Sequence, residues 1–320
     1  MKLIVLLLGL LYTNAALGNS IDSVRRYYEL KNKAELSIMD GAYSDALKNY
    51  VAAFAYKSPN SLDLYNAFTT AFLVGDSVQS RRFFNLMALH GQPKGNLEKL
   101  NKDLRGKPFY NWLSQDYDSI RALSLKSSMP VFSRLLDSIY HIDAGYRQEL
   151  KTQQQIKEMI DADKVNLQYI KSYIKQYGFP GYTQVGLFEE LLNGWPHAYN
   201  TFWLLMWHTR HISKDLNQVA LDAVMAGDMS PDDYAIAIDA QDSIKTYFAI
   251  LPKGKQLPNE RFDKIFNAAE VDRKRAQIFL EPIAAYQRKL VFQNSRTTHF
   301  IFKPAMQMAL NFATADLSNF

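Results

Sequence analysis

No cysteine stands anywhere in the 320 residues. Disulfides, thiolate catalysis, cysteine-ligated metals and a lipid anchor on an N-terminal cysteine are therefore excluded. A chain of this length buries enough surface to fold without such staples. Glycine and proline are few, 14 and 11 in all. Neither strict alternation of apolar and polar residues nor an Asn-Gly hairpin recurs, which argues against a sheet-rich fold. The motifs of common catalysts are missing too. There is no Gly-rich phosphate loop before a helix, no Gly-x-Ser-x-Gly elbow and no His-Glu-x-x-His pair, so no cofactor is expected. Basic charge barely exceeds acidic, 37 residues against 32. It is dense only in RRYYELKNK from Arg25 and in VDRKR around Arg273. A nucleic-acid reader would show a basic stripe or a recognised module, and neither is present.

The N-terminus carries a distinct signal, MKLIVLLLGLLYTNAALGNS. One basic residue, Lys2, precedes an apolar run from Leu3 to Leu11, and small residues follow. That order is a secretory signal peptide, cut after Ala15 or Gly18. The run is about half of the ~20 residues that span a bilayer. No later segment reaches that length. The expectation is an exported protein, periplasmic or secreted, with residues 1–18 removed and no membrane span in the mature chain.

Most of the remaining chain has helical apolar spacing. In AELSIMDGAYSDALKNYVAAFAYK, the residues Ala34, Gly41, Tyr43, Ala46, Tyr50 and Ala53 stand where a tetratricopeptide repeat places small and aromatic side chains. Such a repeat is a 34-residue helix–turn–helix. A shift by that period maps Gly41 to Gly75, Ala46 to Ser80, Tyr50 to Phe84 and Ala53 to Met87. Residues 34–93 thus resemble two tetratricopeptide-like repeats, which must pack on neighbouring helices to cover their outer faces. A third copy is not visible, because Phe109 falls where the turn glycine is needed.

GQPKGNLEKLNKDLRGKP, residues 91–108, reads as a boundary, and Ser127-Ser128-Met129-Pro130 as a second break. The expected organisation is a tetratricopeptide-like segment over 19–126, a C-terminal helical domain over 127–290 and an extension over 291–320. In the second part the pattern predicts an amphipathic helix from 131 to 150, and another from Gln153 to Tyr177 ended by Gly178. A very apolar helix with Trp203 and Trp207 on one face follows, expected at the centre of the domain. A helix runs from Lys214 to Ala226, capped by Ser213 and Gly227. Another opens at Ser230-Pro231-Asp232-Asp233, and Pro282 opens the last through Lys289.

Several elements in this half are matched in order. They are Asp143, Tyr146 and Arg147, then Asp163 and Asn166. Gly178, Phe179, Pro180, Val185 and Gly186 come next, followed by His208, Gln218 and Gly227. Val271, Asp272, Arg275, Leu280, Pro282 and Tyr286 close the set. On these, residues 132–290 resemble a bacterial family known as domain of unknown function 6624. The resemblance implies a helical domain and supplies no activity. The chain departs from the family where Asp-Arg is usual and Asp239-Ala240 stands, and where Tyr-Gly-Thr-Gln is usual and only Tyr247 remains. An activity carried by those polar residues would be lost or changed here.

His208 and His211 are three apart and can share a helical face, with Asp222 or Glu189 as further metal ligands. No third ligand has a telling spacing, so no metal is expected. His208 either exchanges a proton near neutral pH or closes a buried aromatic helix against Gln218. Asp143, Asp163, Asp239 and Asp272 either converge with Arg147 and Arg275 as an acid–base site or form ion pairs that fix packing. The reading that results is an all-α, exported scaffold that binds a protein or peptide. Its alternative is a hydrolase-like enzyme built on His208, Gln218 and Asp239 with Arg147 and Arg275.

Overall fold

A computed structural model of the chain describes residues 20–127, 152–179, 181, 191–192, 195–196, 206, 209, 212–241, 246–247, 267–295 and 299–302. The architecture is all-α. Among the described residues the one extended pairing is a two-residue antiparallel contact, Leu191–Leu192 against Trp195–Pro196. No described helix is long and apolar enough to cross a membrane.

The first half is a series of short helices with local caps. Helix α1 (Ile21–Met39) starts at Ser20, whose hydroxyl accepts the Ser23 N–H. It turns at Gly41 into α2 (Tyr43–Ala53). Helix α3 (Ser61–Val74) is capped by Asn60 and ends on Gly75, and α4 (Ser77–Leu89) is capped by Asp76. Side-chain oxygens at these starts satisfy N–H groups that have no partner inside the helix.

Positions 34 apart occupy like places in the two hairpins. Gly41 and Gly75 both adopt left-handed backbone, with φ of 75° and 80°. Ala46, Tyr50 and Ala53 are fully buried, and so are Ser80, Phe84 and Met87.

The stretch 91–108, expected as a boundary, is ordered and packed. It holds α5 (Lys94–Leu100) and a 3-10 turn (Lys102–Leu104). Leu97 and Leu104 are fully buried in the same core as Phe84. The glycines there serve reversals, Gly91 and Gly106 at φ 80° and 77°, and the apolar residues between them anchor the segment. Helices α6 (Pro108–Leu113) and α7 (Tyr117–Ser127) follow, with the Phe109 ring tilted against Phe72 and stacked on Trp112.

The C-terminal half contributes α8 (Gln153–Tyr177), opened by a reciprocal Thr152–Gln155 capping box and ended at Gly178. It continues with α9 (Leu216–Ala226), α10 (Pro231–Gln241), α11 (Ala268–Gln277) and α12 (Ile283–Ser295). Helix α9 starts two residues later than expected. The Ser213 hydroxyl accepts the Asp215 N–H instead of capping a helix at Lys214. Gly227 ends α9 in the left-handed region as its position predicts. Helix α12 runs to Ser295, through the expected start of the extension at 291. The proposed helix over 131–150 and the side chains of Trp203 and Trp207 lie outside the described residues, as do residues 1–18, expected above as a signal peptide.

Two apolar cores meet on α1. One gathers Ala34, Ile38, Tyr50, Phe68, Phe83, Phe84, Tyr117 and Phe300–Phe302. The other joins Val24, Tyr27, Tyr28 and Leu30 to Leu167, Ile170, Ala220, Val224, Tyr234–Ile238 and Ile278–Leu280. The first turns of α1 thus belong to the C-terminal helices and its last turns to the hairpins. The two halves share this helix as a common wall.

Candidate functional site

Of the five residues expected to build a hydrolase-like site, three have described positions, and they do not form one site. Gln218 is exposed on α9 and donates to Asp222 one turn along, at 2.8 Å. Asp239 is fully buried near the end of α10. Its Oδ1 accepts the N–H groups of Thr246 and Tyr247 at 2.7 and 2.9 Å. Arg275 is fully buried on α11 and donates to the carbonyls of Glu281 and Tyr247, both at 2.7 Å. Its guanidinium also lies 4.5 Å from the centroid of the Tyr286 ring.

Asp239 and Arg275 therefore do converge, on the main chain of Tyr247. One accepts its N–H and the other donates to its C=O. Both charged groups hold backbone, a common means of fixing an irregular segment beside a helix. Asp272 acts in a comparable way, since its Oδ1 accepts the Ile283 N–H and caps α12 from the neighbouring helix. Asp163 and Asn166 are buried on α8. Asp143, Tyr146, Arg147, Glu189, His208 and His211 lie outside the described residues. Among the described residues no group of three or more His, Asp or Glu side chains can hold a metal ion.

Sequence reasoning missed two arrangements. The first is a buried file of alternating charge through the middle of the molecule. Asp63 on α3 lies 3.1 Å from Lys31, and Lys31 lies 3.8 Å from Glu35. Glu35 pairs with Lys289 on α12, Lys289 lies 3.5 Å from Glu281, and Glu281 lies 3.8 Å from Arg275. Each of the six is at most 9% exposed. Tyr27 also donates its hydroxyl to Asp63.

Burial works against the Lys31 ammonium. Asp63 and then Glu35 outweigh it, holding its pKa well above the ordinary lysine value. The file bridges α3, α1, α12 and α11, so it fastens the hairpins to the C-terminal helices. One signal for it was available: Lys31 and Glu35 sit four apart, on the face of α1 that also carries Tyr27, Ala34 and Ile38. Charges placed on an apolar stripe must be paired.

Lys57 stands apart from this file. It is buried, donates to the Ser58 carbonyl at 2.9 Å and lies over the Tyr27 ring. Burial pushes its pKa down to about 8, against partial support from Asp63 and Asp228 and opposition from Lys31. Between that value and 10.5 the unfolded chain holds a proton that the folded chain has released, so stability rises with pH across the window. Lys57→Met should remove this slope. At pH 7 the variant should be more stable by up to ~3 kcal/mol, and the gain should vanish above pH ~10.5. Urea unfolding at a series of pH values checks it.

The second missed arrangement is a non-helical stretch, His299–Phe302, laid against α3. The Tyr65 hydroxyl donates to the His299 carbonyl at 2.6 Å. The Asn66 amide grips one residue twice, donating to the Ile301 carbonyl at 2.8 Å and accepting the Ile301 N–H at 3.0 Å. Gln293 on α12 accepts the Phe302 N–H at 3.0 Å. Phe300 stacks on Tyr43, and Phe302 on Phe292. Asn66 is fully buried, so both ends of its amide are committed. The sequence signal was a four-residue run with three apolar members, His299-Phe300-Ile301-Phe302, inside the stretch assigned to an extension. No protein-family model, curated protein or solved structure matches the chain.

Proposed function

We propose that the protein is an exported helical scaffold that binds polypeptide partners, with its receiving surface on the tetratricopeptide-like helices of the first half. The observation that carries this reading is the grip of Tyr65 and Asn66 on the main chain of residues 299–302, a segment more than 200 positions away in sequence. A helix that holds a non-helical stretch by its backbone amides has the chemistry needed to hold another chain. The contacts of Asp239 and Arg275 to backbone groups support the same side, since charges that hold main chain in place have a structural use. The charge–apolar–small order at the N-terminus supports export.

A paired experiment tests the reading. A photo-crosslinking residue replaces exposed Leu73 on α3, or Gln218 as the control, in mature protein incubated with envelope and secreted fractions. In parallel, wild type and His208→Ala are screened against hydrolase substrates. The expected result is a discrete adduct from α3, none from Gln218, and no turnover. Robust turnover lost in His208→Ala, with no adduct from α3, would establish the enzyme instead.

A further inference from the structure

Every polar contact that Tyr65, Asn66 and Gln293 make to the segment ends on its main chain. They engage His299 C=O, Ile301 N–H, Ile301 C=O and Phe302 N–H. Such contacts do not read side-chain identity and are available to any chain of the same conformation. Specificity falls to the two rings. Phe300 and Phe302 stack on each other with centroids 6.2 Å apart. The two rings share a face, as residues i and i+2 do in an extended chain. They stack on Tyr43 and Phe292, while Ile301 between them is also buried. A polar tether holds one end: His299 Nε2 lies 3.0 Å from exposed Asp103.

Resting on the scaffold reading above, we propose that residues 299–302 are an internal ligand. They fill a site on α3 for an extended aromatic–aliphatic–aromatic peptide, and a partner protein bearing such a segment displaces them. The cost of displacement makes the site selective. An incoming segment must match two ring contacts and four main-chain bonds to compete with one already attached to the protein, which benefits from high effective concentration.

The test uses the full chain and a labelled peptide with the sequence of residues 298–303, Thr-His-Phe-Ile-Phe-Lys. Phe300→Ser with Phe302→Ser loosens the internal segment. This double variant, folded by circular dichroism, should bind the peptide at least tenfold more tightly than wild type, as read by fluorescence anisotropy. The same peptide with N-methylated isoleucine lacks the N–H that Asn66 accepts and should bind at least tenfold more weakly. Equal binding by wild type and double variant, or by the two peptides, would overturn the proposal.

Should the double variant not fold, wild type carries the test. A photoreactive version of the peptide in excess should label α3, and its N-methylated form should not. Labelling elsewhere, or by both forms alike, would overturn it. A wild-type dimer in which residues 299–302 of one copy crosslink to α3 of the other would assign the occupant to a second copy of this chain and overturn the partner assignment. Failure here, alongside a partner adduct from Leu73 in the crosslinking experiment, would retire the internal ligand and leave the scaffold reading in place.

Discussion

Glu35→Leu should lower the unfolding free energy by about 3–5 kcal/mol, the usual cost of breaking a buried ion pair from one side. Glu35 is 1% exposed and stands between the ammonium groups of Lys31 and Lys289. The file contains Asp63, Glu35 and Glu281 on one side and Lys31, Lys289 and Arg275 on the other, so its charges balance. Removing Glu35 leaves Lys289 only the more distant Glu281 carboxylate, which Arg275 shares. Adding Lys289→Met should recover at least half of the loss, because it restores the balance and puts apolar volume where the ammonium was. Urea denaturation of the two single variants and the double gives the coupling directly. Additive losses would mean that the two groups are not a working pair.

Arg275→Met should be equally costly, about 3–5 kcal/mol. The guanidinium is fully buried, satisfies the carbonyls of Glu281 and Tyr247 and neighbours the Glu281 carboxylate. Methionine matches much of its length but donates nothing, so the buried Glu281 carbonyl and the part-buried Tyr247 carbonyl lose their donors. The size of this effect separates two roles. A charge kept for catalysis is commonly held at the expense of stability, and its removal is neutral or stabilising. A charge that fixes the Tyr247 segment is not dispensable in this way. A melting temperature for Arg275→Met equal to or above wild type would return Arg275 to the candidates for a chemical role.

Local chemistry made much of the fold legible. The stop of α8 at Gly178, the end of α9 at Gly227 and the Ser230-Pro231 start of α10 follow from capping and from positive φ at glycine, which act within a few residues. The turn glycines Gly41 and Gly75 were readable for the same reason, since both stand at positive φ between two helices. Tertiary arrangements were not readable. The stretch 91–108 has the glycine and charge of a linker, yet Leu97 and Leu104 bind it into the core. By residue type, Asp239 and Arg275 could have been part of an acid–base site or of ion pairs that fix packing. Only their geometry shows that both hold the backbone of Tyr247, and that Arg275 also holds Glu281. The charges on the apolar stripe of α1 and the apolar run at 299–302 were visible, but their distant partners were not: Glu35 pairs with Lys289, 254 positions away, and Asn66 with Ile301, 235 away.

Hydrogen exchange at the Ile301 amide tests the internal-ligand account most directly, since that N–H is held by Asn66 alone among the contacts that define the site. A displaceable internal ligand opens without unfolding the protein. Its Ile301 and Phe302 amides should therefore exchange at least tenfold faster than the buried amides of α3, by a route independent of low denaturant. Added peptide with the sequence of residues 298–303 should accelerate them further by keeping the segment out. Exchange of Ile301 and Phe302 only with global unfolding, at the same rate as the core of α3 and indifferent to peptide, would make residues 299–302 a fixed part of the core and contradict the account.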